Sequence, residues 1–437
     1  MKKTLIASSI AAAVLAVPTL AMAQTQTQSN GFSFVDDAKA TLGLRNLYFN
    51  GDYREGDGAD DKAWGQGFML NFQSGYTQGP VGFGLDVFAR SGIRLDYQGS
   101  QSMFPEDDDG GAVPEFSQID FAAKAKVSET ELKVGRGLQP SLPVVTRNDG
   151  RLLPQTYSGA MLSSNEIDNL TLRLGQFDEA SGRNSTSHEG LFITSDVGEA
   201  NQRVNKFQYA GGDAQLGDNL VASYYFAKLK DYYKQHYLGA VHTLDLGAGQ
   251  LITDLRYFDS GSTGANSSGE AEYSARGVHN DGEVDNRAMS AMFTYKLSNH
   301  GLGLGYQKMS GDSDFAYLNN GGGATAYLIT DSQINKFERA GEKTWVGEYS
   351  YNFADVVPGL KFAAKYLRGS DFDTRAGERD SEWERNLRLD YTVQQGVLKD
   401  LGVSLRHASL RSGAADNNGG RDQDQVRVYL TYNFVLL

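Results

Sequence analysis

The chain has 437 residues with 51 Gly, 8 Pro and no Cys, and 41 Lys and Arg stand against 54 Asp and Glu, a formal charge of −13. The missing cysteines exclude disulfides, thiolate metal sites and a cysteine nucleophile, and the acidic balance argues against a nucleic-acid partner, which is held by phosphate neutralisation. A mean hydropathy of −0.44 excludes a bundle of membrane helices, each needing an apolar run of about 20 residues, and 11% aromatics exclude a disordered acidic chain. In chain order, the first element is an export address. Lys2 and Lys3 precede an apolar stretch from Leu5 to Ala21, and Ala21-Met22-Ala23 is a small-x-small cleavage site. The pattern predicts a cleaved signal peptide over residues 1–23 and a mature domain over residues 24–437.

Beyond it, one pattern repeats. From Val81 to Asp96 the odd positions carry Val81, Phe83, Leu85, Val87, Ile93 and Leu95, while the even ones carry Asp86, Arg90, Arg94 and Asp96. This is period-2 alternation over a length well beyond the usual strand of about 5–6 residues. Phe68–Tyr76, Ile119–Lys124, Leu170–Gly175, Leu251–Tyr257, Met292–Leu297, Leu387–Val393 and Val426–Phe434 alternate in the same way, and Tyr233–Leu244 could face either way.

The connections alternate as well. Gln78–Pro80, Ser128–Thr130, Asp245–Gly249, Ser298–Gly301 and Asp355–Pro358 are short; Gly99–Glu115, Gly137–Ser158, Ala180–Gln202, Gly261–Val284 and Asp312–Lys343 are long. Short turns on one side and long loops on the other are the plan of an outer-membrane barrel. The expected fold is therefore all-β: a transmembrane antiparallel β-barrel of about 18 strands, with short periplasmic turns and long extracellular loops. All eight prolines fall outside the proposed strands, where a missing N–H would break a closed ladder. Trp64, Trp345 and Trp383 each begin a strand leaving the outer side, as an interfacial girdle requires.

Several stretches resemble the OprD family of substrate-selective outer-membrane porins of Gram-negative bacteria. They include Leu44-Arg45-Asn46-Leu47-Tyr48-Phe49-Asn50, the run from Asn148 to Gly159, Leu229-Lys230-Asp231-Tyr232-Tyr233, Asp254-Leu255-Arg256-Tyr257-Phe258-Asp259, Gly305-Tyr306-Gln307-Lys308-Met309-Ser310-Gly311-Asp312 and Glu382-Trp383-Glu384-Arg385. The ordered set covers essentially the whole mature chain. The resemblance implies an eighteen-stranded barrel in the outer membrane in which each chain forms its own pore, with inward-folded loops narrowing it and loose trimers permitted. There are departures. Where the family often reads Ser-Trp-Gln-x-Arg-Tyr, this chain has Thr344-Trp345-Val346-Gly347-Glu348-Tyr349, so an acid stands at a commonly basic position. Lys365 replaces a frequent Arg, and Ser404 precedes Arg406 where two arginines often alternate.

Alternation assigns the polar face to the lumen, because Arg or Lys facing lipid at the midplane costs about 2–4 kcal/mol. The basic candidates for the solute path are Arg45, Arg90, Arg94, Lys124, Arg173, Arg256, Lys365, Arg388, Arg406 and Arg427; Asp86, Asp120, Asp254, Glu348 and Asp390 are acidic. A wall of basic groups lets an anion step between weak sites, and the family resemblance implies this use for Arg45, Lys365, Arg388, Arg406 and Arg427. The plainer alternative is mutual pairing that fills a polar interior. The loop from Gly137 to Ser158 carries three prolines with Arg147, Asp149 and Arg151, and the resemblance makes it a constricting loop; Asp314 and Tyr317 mark the loop from Asp312 to Lys343 as a second one.

The six histidines are scattered and no His-Glu-x-x-His occurs, so no catalytic residue, metal or cofactor is expected, and Gly321-Gly322-Gly323 lacks a phosphate-loop context. The expected function is a passive porin for small water-soluble solutes, carboxylates or amino acids, with outer-membrane lipid and lipopolysaccharide as surroundings. The alternatives are a barrel enzyme (protease or lipase), which needs a His beside a nucleophile, and an adhesin acting through its loops.

Overall fold

The computed structural model of the chain describes residues 33–54, 60–99, 103–193, 202–277, 281–318, 325–373, 379–413 and 422–437. The signal peptide read over residues 1–23 and the triple glycine Gly321–Gly323 lie outside them. The wall begins with β1 (Lys39–Tyr53), β2 (Asp61–Gln73), β3 (Gly82–Gln98), β4 (Glu115–Val127) and β5 (Thr130–Leu138). A small hairpin of β6 (Ser141–Leu142) and β7 (Val145–Thr146) stands apart from it. The wall resumes with β8 (Thr156–Ile167), β9 (Leu170–Ser181), β10 (Phe207–Leu216), β11 (Leu220–Leu229), β12 (Tyr233–Asp245) and β13 (Gln250–Ser262). It ends with β14 (Asp285–Leu297), β15 (His300–Ser310), β16 (Lys343–Asn352), β17 (Leu360–Asp373), β18 (Arg379–Thr392), β19 (Gly402–Ser412) and β20 (Gln423–Val435).

These form one 18-stranded antiparallel sheet. β1 closes it on β20, from Thr41 opposite Val435 to Tyr53 opposite Gln423. Closure gives each backbone group a partner, which is the condition for strands to cross a bilayer. Alternation decides the faces: Phe83, Leu85, Ile93 and Leu95 of β3 are exposed on the outside, with Phe88 and Arg90 buried between them on the inside. β12, ambiguous in sequence, turns Tyr233, Gln235 and Tyr237 inward and His236 and Leu238 outward. Turns at one end of the barrel are short, as at residues 128–129, 168–169 and 298–299; the other end bears residues 99–114, 139–155, 182–206, 263–284 and 311–342. Not every connection at that end is long: residues 230–232 join β11 to β12 directly, with Asp231 at φ 63°.

The long loops fold into the barrel because the inner wall offers them apolar surface. Leu152 and Leu153 pack on Leu47, Phe49 and Ala63 of β1 and β2. Gly65 and Gly67 of β2 make room: a Cβ on Gly65 would stand 2.8 Å from the Leu152 side chain, and one on Gly67 3.1 Å from its carbonyl. Ile329 and Phe337 pack on Met292, Val346 and Leu367 in the same manner. The largest cluster joins inward Phe177, Phe207, Tyr225, Tyr237 and Phe258 to Leu142, Val145, Leu191, Ile193 and Phe315 of three loops. Each such side chain withdrawn from water contributes about 1.5–3 kcal/mol. Where residues 139–155 leave the wall, Gly135 and Gly159 face each other at φ 147° and 144°, and the ladder slips beside both. A side chain at either would collide with a neighbouring backbone carbonyl, Phe121 or Gln176.

Candidate functional site

Three arginines occupy a single row of the inner wall. Arg388 of β18 stands opposite Arg406 of β19, Arg406 opposite Arg427 of β20, and Phe49 of β1 continues the row. Like charges directly opposite on a sheet repel, so partners must hold the row together. Arg388 pairs with Asp390 at 2.6 Å. Arg427 is buried and donates to the Gln333 carbonyl at 2.6 Å and to Gln425 Oε1 at 2.7 Å. Arg406 donates to Ser404 Oγ at 3.1 Å and lies 4.5 Å from the Tyr429 ring centre. Among the described residues it forms no ion pair.

Two loops arrive at this row. Arg45 of β1 pairs with Asp149 at 2.7 Å and donates to the Arg151 carbonyl at 2.8 Å, while the Tyr429 hydroxyl donates to the Gly150 carbonyl at 3.1 Å. From the other side, Lys365 donates to the Ile329 carbonyl at 2.8 Å and pairs with Glu348 at 3.3 Å, and Asn386 donates to Ser332 Oγ at 2.7 Å. Two cavities adjoin here, of about 420 and 490 Å³, and both are lined by Arg388 and Arg406. Asp331, Glu348, Lys365 and Arg427 line the first; Arg45, Asp149, Lys361 and Asp390 line the second. Burial pushes the Asp331 carboxyl up to about 6, opposed by Lys336 and Lys365 nearby.

The other basic positions on the lumen side are engaged elsewhere. Arg90 is buried, with Gln118 Oε1 and Ser181 Oγ each at 2.6 Å and the Pro154 carbonyl as a further acceptor, so it anchors residues 139–155. Arg94 donates to the Ala112 carbonyl of the loop above it. Lys124 is buried against Asp86 and the Ser74 carbonyl, both at 2.7 Å. Arg173 pairs with Asp213 and donates to the Tyr225 hydroxyl at 2.9 Å. Arg256 pairs with Asp254 at 2.6 Å under the Tyr327 ring.

In the loops, Arg151 lies 4.9 Å from the Phe49 ring centre, and the Arg147 N–H donates to the Pro140 carbonyl at 2.9 Å. Asp314 takes Arg276 at 2.6 Å, and the buried Tyr317 hydroxyl donates to Glu338 at 3.0 Å. Tyr317 thus ties residues 311–342 internally and Asp314 ties them to the loop of residues 263–284; the part of residues 311–342 lining the first cavity is Asp331-Ser332-Gln333. Sequence reasoning also passed over Lys361, Lys133, which pairs with Asp86 at 2.6 Å, and Arg183, whose Nη1 donates to Asn148 Oδ1 at 3.3 Å. No periodicity marks a loop arginine such as Arg183.

One histidine-centred group was also invisible in sequence. His188 Nδ1 lies 3.0 Å from Ser158 Oγ, and its Nε2 lies 3.0 Å from Asp120 Oδ1. The set resembles a hydrolase triad with the ring nitrogens exchanged. Ser158 and Asp120 are buried, so the group reads as a polar tie between the loop after β9 and the wall.

The family model described as outer membrane porin, OprD family, matches residues 32–436. Porin D of Pseudomonas aeruginosa is 34% identical, covering 98% of this chain and 99% of its own. The crystal structure of Pseudomonas aeruginosa OccK8 (OprE) superposes with a TM-score of 0.86 at 46% identity, over 93% of this chain and 100% of that one. That of Pseudomonas aeruginosa OpdK with vanillate gives 0.83 at 34% identity, over 92% and 100%.

Proposed function

Because the chain belongs to the OprD family of outer-membrane porins, we propose that the arginine row is the contact surface of its solute path and that its preferred solutes are small carboxylates, amino acids among them. The protein is a passive channel of the Gram-negative outer membrane for small solutes, not an enzyme, and one chain closes the whole barrel. Export through a signal peptide at residues 1–23 is part of the same proposal.

Arg406 carries the solute class. It lines both adjoining cavities and forms no ion pair among the described residues. A guanidinium in that state offers its fork to a carboxylate. Arg388 and Arg427 flank it in the same row, so an anion that leaves one contact meets the next. Asp331 and Glu348 line the first cavity beside the row and accommodate an ammonium, which brings amino acids in with simple carboxylates. The relative OpdK has been crystallised with vanillate, a carboxylate, which supports the same chemistry.

Liposome swelling with benzoate, glutamate, arginine and glucose tests the reading. Benzoate and glutamate should enter faster than glucose and arginine, and Arg406→Gln should remove that preference. Equal rates for all four solutes in the wild-type protein, or an unchanged order in the variant, would overturn it.

A further inference from the structure

On the outer surface of β15 to β18, four cations follow one another across consecutive strands. Lys308 stands opposite Lys343, and Lys343 opposite Ser370. Arg368 lies two positions below Ser370 and opposite Trp383, with Arg385 two positions below Trp383. Each cation is thus directly opposite the next or diagonal to it, within reach of long side chains. All four belong to the outward face: Trp345 and Tyr366 beside them are exposed, while Val346 and Leu367 of the alternate positions are fully buried inside. They sit toward the long-loop ends of their strands, above an apolar band that includes Leu302, Leu304, Leu387 and Leu389.

Elsewhere on this rim Lys62 pairs with Asp96, Arg411 with Asp424 and Arg287 with Asp259, while Lys228 and Lys234 also face each other but as two cations and not four. Here Lys308, Arg368 and Arg385 form no ion pair among the described residues, and Lys343 has only the exposed Asp371. Facing like charges across neighbouring strands without acids between them is unfavourable, unless an external anion lies against them. Aromatic rings are interleaved: Tyr306 stands opposite Trp345, and Trp345 opposite Arg368, the ring level of a membrane interface.

We propose that this outer face of β15–β18 is a docking site for a phosphorylated glycolipid of the outer leaflet, whose phosphates meet Lys308, Lys343, Arg368 and Arg385 while its acyl chains lie on the apolar band below. The orientation rests on the porin reading. Width selects the headgroup. Three strand spacings of about 4.8 Å and a descent of four residues at about 3.4 Å each set the outermost cations' backbone positions roughly 20 Å apart, too far for one phosphate to bridge and suited to a headgroup with two. The position, at the aromatic level on the long-loop side, selects a lipid anchored in the outer leaflet over a soluble anion.

The test uses the full barrel purified in a neutral detergent. Binding of a diphosphorylated lipid A is measured by native mass spectrometry, with monophosphoryl lipid A, phosphatidylcholine and free pyrophosphate as competitors. The wild type should retain one diphosphorylated molecule, displaced poorly by all three competitors. Lys308→Gln with Arg368→Gln should weaken it roughly thirtyfold, about a decade or less per removed charge. Lys228→Gln with Lys234→Gln, outward cations of β11 and β12, should leave binding unchanged. Single-channel conductance should stay the same in both variants, because none of these residues lines the path. Equal displacement by pyrophosphate or phosphatidylcholine, or equal binding by the Lys308/Arg368 variant, would overturn the proposal even if the barrel conducts normally; a second copy of the chain in place of lipid would also overturn it. Loss of conductance in the wild type would instead count against the porin reading. The competition series on the wild type needs no variant to fold.

Discussion

From β9 to β13 the inward positions include Phe177, Phe207, Tyr209, Tyr225, Tyr237 and Phe258; from β17 through β20 to β1 they include Lys365, Arg388, Arg406, Arg427 and Arg45. The same two-residue period produces both sectors, so their difference lies in what fills the inward face. Aromatic rings attract the apolar stretches of three loops and the lumen closes over them. Covering basic side chains costs solvation; loops bury Arg427 but otherwise touch that sector at their tips, through Asp149, Gly150 and Gln333, and space remains. The barrel is thus one wall with a packed sector and an open basic sector, the conducting one on the proposed reading, and each should be open to disturbance without the other.

The largest expected effect falls on the packed side. Phe177 is fully buried, its ring 4.9 Å from Tyr157 and 5.6 Å from Tyr209. Phe177→Ala should cost about 3–5 kcal/mol of stability, read as a lower midpoint in urea unfolding from detergent or liposomes. Its zero-current potential in a salt gradient should match the wild type. A shift in selectivity here would break the division into sectors.

On the conducting side the order reverses. Arg406→Glu changes two units of charge at a residue bordering both cavities. At the high effective dielectric of a wet pore this amounts to roughly 1 kcal/mol, about a fivefold fall in the anion-to-cation permeability ratio. The unfolding midpoint should stay close to that of the wild type. Arg256→Glu is the matched control in the packed sector: it removes a partner of Asp254 and should lower stability with little change in selectivity.

This division also explains how far the sequence could be read. Strand number, the position of both loop classes and the inward or outward sense of segments such as Val81–Arg94 follow from a local period, and the structure has them, whereas Asp96 turns outward to Lys62 beyond the irregularity at Trp64 and Gly65. Which inward basic residue is accessible does not follow, because accessibility is set by loops that are distant in sequence. Arg90 and Arg406 have the same pattern around them, yet Pro154 covers one and a cavity borders the other. Within residues 311–342, Asp314 and Asp331 are equally plausible acids; Arg276, remote in sequence, claims the first, and the second lines the first cavity. The row of Arg388, Arg406 and Arg427 is likewise a product of register, which turn lengths fix and alternation alone leaves open.

The conducting sector should also respond to pH. The Asp331 carboxyl, raised by burial to about 6, is charged at pH 7.5 and neutral at pH 4.5. Lowering the pH therefore removes one negative charge from a cavity rich in arginine and lysine, and anion preference should rise as pH falls through about 6. The change is one charge against the two of Arg406→Glu, so about twofold in the permeability ratio is expected. Asp331→Asn should show the higher preference at both pH values and no step between them. A step of the same size in that variant would assign the titration to another group.

The smallest effect is expected where the two kinds of wall look most alike. Asp149 meets Arg45 at 2.7 Å, the same distance that separates Lys124 from Asp86. Distance does not predict the consequence. Lys124 is buried and also bonded to the Ser74 carbonyl, whereas the Asp149 side chain stays open to the second cavity. An exposed pair contributes about 0–1 kcal/mol, so Asp149→Asn should leave the unfolding midpoint nearly unchanged. Its effect belongs to transport: Arg45 keeps the Arg151 carbonyl as an acceptor but loses its counter-charge, and it joins the unpaired side of the row. Benzoate should then dwell slightly longer in the channel, within about twofold, in single-channel current block. A drop of several kilocalories in stability would instead place Asp149 with Asp86, and would mean that the loop of residues 139–155 is held to the wall by this pair and not by Leu152 and Leu153 beneath it.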